Sequence, residues 1–346
     1  MRHRSSPGPS RIGRAWLTVA LLAVIAGCGP RHPLGSRDLG DITPGAEAYL
    51  VRALTILQEE ALHADRLNAE ALDAVADLAR NADSPAETYP AIRHAVEALG
   101  DGHSAFVTAD QVAAGRSASR AEQGPPVDGR SVGSVAVLRL GTAIYDDPER
   151  RSGLAEAIHG ALAQLADDEP CGWVLDLRGN QGGDLWPMLA GTGPLVGEGE
   201  AGGIDVPGPS DMGWRYAGGK VSLRLRLAGI LPLSAPQLTV ESPVVLDGTP
   251  PVAVLTDSLT ASSAEALVVA FRGRPRSASF GSPTYGVPTA NQTVRLDDGA
   301  LLIVTTGVFV DRTGRRYAGP IAPDVDAEGP AVLESAIRWV EAECDA

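Results

Sequence analysis

Three short segments carry residue types able to act together on an acyl group. The first, Val252-Ala-Val-Leu-Thr-Asp-Ser-Leu-Thr-Ala-Ser262-Ser-Ala-Glu265, runs from an apolar strand through a tight turn into an apolar helix. Ser262 therefore falls at a helix N-terminus. A hydroxyl there lies beside backbone N–H groups that lack intrahelical acceptors and at the positive end of the helix dipole, a place suited to a developing oxyanion. The same serine, with Glu265 three residues on, also fits a capping box, which is a structural role. The second segment, Trp173-Val-Leu-Asp-Leu-Arg178-Gly-Asn-Gln-Gly182-Gly183, takes a buried strand into a glycine-rich turn whose amides can face a ligand unobstructed. It lacks the lysine and serine of a phosphate loop and fits equally well a plain tight turn with an Asp176/Arg178 pair. In the third, Gly100-Asp-Gly-His103-Ser, an imidazole sits at a helix-to-loop junction. A histidine there suits a general base, or simply a structural role.

The elements that must carry these segments can be read from periodicity. Residues 44–114 are predicted to form a helical cap, with Leu50, Leu54, Leu57 and Leu62 at helical spacing. Ser84-Pro85-Ala86-Glu87 combines an N-cap serine, an early proline and a glutamate three residues after the cap, so a helix is expected from there to about Gly100. Residues 125–340 are predicted to form an α/β core, with strands at 135–140, 172–177, 221–227, 252–256 and 301–306 and helices at 153–165 and 263–272. The Gly/Pro-rich stretch 191–219 reads as a surface excursion, and with Trp186 and Met188 it is a candidate lining for a substrate pocket, although core residues would look the same.

Before this core, Arg2, Arg4, Arg11 and Arg14 precede an apolar run from Ala15 to Ala26 that ends at Gly27-Cys28. Residues 1–27 read as a lipoprotein signal peptide, with Cys28 the lipidated residue and 28–43 a linker. The run is shorter than the roughly 20 residues needed to span a bilayer. The chain is then expected in the cell envelope, membrane-bound through its lipid; Gly29 lacks the aspartate of inner-membrane retention, so in a Gram-negative cell the outer membrane is expected. With 43 acidic and 29 basic residues the 346-residue chain carries a net charge of -14, and removing the leader's four arginines takes it to -18. That balance opposes a nucleic-acid partner. The histidines are scattered, so neither a metal site nor another cofactor is expected. Cys171 and Cys344 remain as two thiols free to pair in an oxidising compartment.

Taken in order, Gly-Asp-Gly-His103-Ser, Leu-Asp-Leu-Arg-Gly-Asn-Gln-Gly-Gly, Thr-Ala-Ser262-Ser-Ala-Glu, Gly281-Ser-Pro-Thr-Tyr-Gly286 and Ile-Ala-Pro-Asp324-Val resemble the carboxyl-terminal processing (tail-specific) serine peptidase family over about residues 90–326. That family includes tricorn protease and the interphotoreceptor retinoid-binding protein. The resemblance implies a ClpP/crotonase-like spiral core of ββα units with a helical N-terminal cap, and a peptide or protein substrate. It implies Ser262 as nucleophile, with Gly182 or Gly183 and the N–H of Ser263 holding the oxyanion and Glu265 supporting the helix start. One branch of the family activates the serine with a lysine, but Val287 follows Gly286 here, and Lys220, the chain's only lysine, lies elsewhere. The tricorn-like branch uses a histidine, which His103 matches. Gly102 stands where that branch has a serine and Tyr317 about where it has a glutamate, so the supporting acid is left to Asp311 or Asp324, the latter expected to be structural. The alternative implied by the retinoid-binding relative is a peptidase-like protein that binds peptides or hydrophobic ligands without turnover. An acyl-CoA enzyme of crotonase type has no need of a nucleophilic serine and does not fit export.

Overall fold

The computed structural model describes residues 32–118, 126–143, 147–208, 210–227 and 231–346; the leader and Cys28 lie outside the described residues. The cap begins with helix α1 (Pro44–Glu60), whose N-cap Thr43 accepts from the Ala46 N–H, and continues through α2 (Ala69–Ala79), capped by Asn68. The expected helix near residue 85 starts as a 3-10 turn, Pro85–Thr88, and becomes α3 (Tyr89–Leu99). It stops at Gly100, which adopts the left-handed φ of +60° that a glycine takes without a side-chain clash. Leu50, Leu54, Leu57, Ile92 and Leu99 form the cap's own apolar core against Phe106, Leu302 and Val304. Strand β1 (Ala105–Val107) and helix α4 (Ala109–Ala118) follow.

The central sheet has six strands in the order β14-β10-β9-β4-β3-β2: β2 (Val127–Val132), β3 (Val135–Leu140), β4 (Gly172–Asp176), β9 (Val252–Thr256), β10 (Ser277–Gly281) and β14 (Val325–Asp326). All its pairings are parallel except β2 with β3. Alternation assigns its two faces: Val135, Val137, Val174, Ala253 and Leu255 pack on helix α9 (Ala331–Cys344). Ala136, Leu138, Leu175 and Val254 pack instead against α5 (Pro148–Ala166), α6 (Leu185–Gly191) and α8 (Ser263–Phe271). A sheet buried on both faces reads as unbroken apolar runs, as β4 and β9 do. The architecture is α/β.

A second sheet runs β1-β12-β5-β6-β7-β8, with β11 (Thr289–Arg295) and β13 (Arg316–Tyr317) also paired to the long strand β12 (Leu301–Val310). Here the reading of 191–219 as a surface excursion is corrected. It forms the short helix α7 (Gly193–Val196) and the antiparallel strands β5 (Gly199–Asp205) and β6 (Ser210–Ala217), continued by β7 (Lys220–Leu227) and β8 (Leu231–Thr239). Leu195, Val196, Ala201, Trp214 and Tyr216 are buried in the main core because that sheet packs back onto α6 and α8. Met188 is likewise core, at 1% exposure, and not pocket lining. Cys171 and Cys344 form a disulfide with Cα atoms 5.8 Å apart, fastening the end of α9 to the start of β4.

Candidate active site

Ser262 and the Gly182-Gly183 turn both follow the C-terminal ends of neighbouring parallel strands, β9 and β4. Their two turns are joined by hydrogen bonds: Gly179 N–H to Asp257 Oδ1 (3.0 Å), Ala261 N–H to Asn180 O (3.0 Å), Thr260 Oγ1 to Leu177 O (3.0 Å) and Ser263 Oγ to Gly183 O (2.8 Å). Asn180 is fully buried, and its side chain donates to Leu140 O while accepting from Gly182 N–H at 2.8 Å. Gly182, at φ +98°, lies so close beneath the serine that a Cβ there would be 3.0 Å from Ser262 Cβ and 2.9 Å from Ala261 O.

Ser262 itself holds φ +55°, ψ -118°, a region that costs a non-glycine residue about 1–3 kcal/mol. What holds it there is Glu265. The carboxylate is fully buried and accepts from the N–H groups of Ser262 (2.8 Å), Gly286 (3.0 Å) and Val287 (3.0 Å) and from Thr284 Oγ1 (2.6 Å). Burial pushes its pKa up, and the four donors oppose that shift. Glu265 is thus at once the carboxylate half of a capping box and the anchor of the 284–287 segment.

Gly182 and Gly183 differ as oxyanion donors. The Gly182 N–H is engaged by Asn180, whereas the Gly183 and Ser263 N–H groups have no acceptor among the described residues. These two amides, with the N-terminus of α8, are the available donors.

His103 arrives from the cap. Its loop is fixed by Asp101, which accepts from the N–H groups of His103 (2.9 Å) and Ser104 (2.6 Å) and from Ser104 Oγ (2.6 Å). Ser104 Oγ in turn accepts from Thr305 N–H on β12, tying the loop to the sheet. The half-buried imidazole places Nδ1 2.6 Å from Thr289 Oγ1, and no hydrogen bond joins it to Ser262 Oγ. Thr289 N–H donates to Val287 O, and the Val287 N–H reaches the same Glu265 oxygen that holds Ser262. His103 and Ser262 are therefore fastened to one short segment, 284–289. Burial lowers the His103 pKa, opposed by the Asp101 charge, so the ring is neutral at neutral pH.

The expected supporting acid is corrected. Asp311 holds its own hairpin turn, accepting from Thr313 N–H and Oγ1, Arg315 N–H and Tyr317 OH, and makes no bond to His103. Asp324 is structural, as expected: it accepts from Ser279 N–H and Oγ and from Arg272. The group on His103 Nδ1 is a threonine. Sequence reasoning missed Thr289 because its role exists only through β11 pairing with β12; Asn180 and Thr284 stood within quoted motifs without an assigned role.

Comparison with known proteins places the chain among relatives of the same fold. The chain is 28% identical to a nisin-resistance protein of Lactococcus lactis subsp. lactis over 316 residues, 87% of this chain and 89% of the relative. It shares its fold with a lipoprotein from Streptococcus agalactiae (TM-score 0.67, 21% identity, covering 87% of this chain and 98% of that one). The photosystem II D1 C-terminal processing protease superposes with TM-score 0.58 at 17% identity, over 86% of this chain and 97% of its own. The family model for peptidase family S41 matches residues 135–327, which span the β3 strand, both turns, Ser262 and the 284–289 segment, and the chain belongs to that family of serine peptidases.

Proposed function

We propose that this chain is an exported, lipid-anchored serine peptidase that cleaves polypeptides or short peptides through an acyl-enzyme on Ser262. The observation that carries the reading is the strained Ser262, held at a helix N-terminus by Glu265, over two amides without acceptors and beside a segment that also holds His103 Nδ1. In the reaction, Ser262 Oγ attacks the scissile carbonyl carbon and its proton passes to His103 Nε2. The Gly183 and Ser263 N–H groups receive the oxyanion, each such donor being worth about 10²–10³ in rate. Collapse breaks the C–N bond, and the leaving amine takes the proton from His103. Water, deprotonated by the same imidazole, then hydrolyses the ester and restores Ser262. Assigning Nδ1–H as the donor to Thr289 Oγ1 leaves the lone pair on Nε2, the tautomer a base requires.

The surrounding features fit this reading. With the leader removed, the net charge of -18 attracts basic peptides, and the relative named for nisin resistance makes nisin the first peptide to test. Lipidation at Cys28 would confine the reaction to the envelope. The test is hydrolysis of nisin and of a mixed unstructured-peptide library by the full chain in detergent, with Ser262→Ala and His103→Ala alongside. Cleavage lost in both variants supports the mechanism; cleavage that survives both removes it. Among the described residues the partner of the His103 ring is a threonine and not an acid, which favours one competing reading, a peptide-binding protein without turnover. Peptide binding with neither cleavage nor serine-directed fluorophosphonate labelling would establish that reading instead.

A further inference from the structure

At the opposite end of the parallel strands, before β9 and β10 begin, a cavity of about 420 Å³ is lined by Arg274 and Arg312 together with Val196, Val244 and Thr249. Arg274 is 5% exposed. Its Nη1 donates to Pro275 O and Arg276 O and its Nη2 to Pro250 O, while its Nε, equally buried, has no acceptor. Arg312 donates through Nη2 to Val196 O and Ala270 O; its Nη1 makes no hydrogen bond among the described residues, and its buried Nε has none either. The two side chains line the same cavity, and the Arg312 charge acts on Arg274.

Neither guanidinium has a carboxylate within ion-pair distance among the described residues. Asp311 partly offsets Arg312 but is held by its own turn, and Arg276 alone meets Glu343. Burial and the charges of Arg312 and Arg276 pull the Arg274 pKa down to about 10, a sign that positive charge here is under-compensated. Backbone carbonyls offset only part of the cost of burying a guanidinium, and a charge-assisted bond to an oxyanion would offset much of the remainder. The cavity's acidic residue is Glu198, exposed at the rim, with Oε1 accepting from Gly218 N–H.

We propose that the Arg274/Arg312 cavity binds a small oxyanion, phosphate or carboxylate, at a site separate from Ser262. Arg312 supplies Nη1 as the free donor and Arg274 the buried charge, while Glu198 weakens the site from its rim. The experiment is a thermal-shift and calorimetric titration of the full chain with inorganic phosphate and, separately, acetate, against chloride at equal ionic strength. One or both anions should bind saturably at millimolar concentration or below and raise the melting temperature; which one does so identifies the anion class. Arg312→Gln should weaken binding at least about tenfold, the loss of a charge-assisted pair. Glu198→Gln should tighten it a few-fold, and Ser262→Ala should leave it unchanged. Arg274→Gln should act like Arg312→Gln; if it does not fold, the Arg312 and Glu198 variants decide. A wild type indifferent to both anions beyond the chloride control, or an Arg312→Gln protein that responds as the wild type does, overturns the proposal.

Discussion

Replacing Thr289 with valine removes one oxygen and keeps the side chain's shape, which makes it the cleanest probe of how His103 works. In the resting state, Nδ1 and Thr289 Oγ1 form a neutral hydrogen bond at 2.6 Å, a type worth about 0.5–1.5 kcal/mol net. Once His103 has taken the serine proton, as the proposed mechanism requires, the same bond is charge-assisted, about 1.5–3 kcal/mol. The difference, about 1–1.5 kcal/mol, is the part that lowers the barrier, so Thr289→Val should slow acylation about 5- to 10-fold. The assay is the rate of serine labelling by a fluorophosphonate as a function of pH, paired with kcat and KM on a cleaved peptide. Burial already lowers the His103 pKa, so labelling should fall with acid through a midpoint below the ordinary histidine value of about 6.5. Valine withdraws stabilisation from the imidazolium and should move that midpoint down by about one pH unit or less, whereas Thr289→Asp should move it up. Thr289→Ser should recover most of the rate, and KM should stay put. A Thr289→Val protein with the wild-type rate and an unmoved pH profile would refute the assignment.

Gly182→Ala forces a methyl to within 3.0 Å of Ser262 Cβ at φ +98°, so it should cost about 1–3 kcal/mol of stability and nearly all labelling, read by thermal melting and probe kinetics. Cys344→Ala opens a cross-link between residues 173 apart, for which chain entropy gives about 5 kcal/mol as an upper figure; guanidinium unfolding with and without reductant should show the wild type losing that increment and the variant indifferent. Asp298 accepts from both Tyr49 and Tyr89 at the β11–β12 hairpin, so Asp298→Ala should loosen the cap, raising proteolysis near residues 100–104 and slowing labelling, while the core's unfolding changes little.

Much of this layout is legible in the chain. The apolar runs at 135–140, 172–177 and 252–256 are legible as strands because both faces of the sheet are covered. Ser262 and Glu265 announce a helix start by spacing alone, and the structure adds that the same carboxylate also gathers Thr284, Gly286 and Val287. Strand β5, Gly-Glu-Ala-Gly-Gly-Ile-Asp, was not legible: glycine disfavours strands, and this one exists because β6 and β12 flank it. Thr289 gave no local signal either. Its hydroxyl matters only because the cap brings His103 to it across 186 residues of sequence. Asp311 misled because an acid near the chain position of a family glutamate looks available until its turn is seen to use both oxygens.

The hydrogen bonds that zip the turn after β4 to the turn after β9 bear on how this protein can vary. Because Asn180, Asp257, Thr260 and Ser263 join the two turns, Ser262 and the Gly183 and Ser263 amides form a single mechanical part. Substitutions within that part disturb attack and charge stabilisation together, so their effects should cluster at nearly full or nearly no rate. The arm that brings His103 hangs from a separate apolar core, and its imidazole meets Thr289 on the segment that Glu265 ties to Ser262, so changes there should grade the rate smoothly. Under the proposed mechanism, turnover drifts by small steps along the cap, while the serine side is inherited whole or lost.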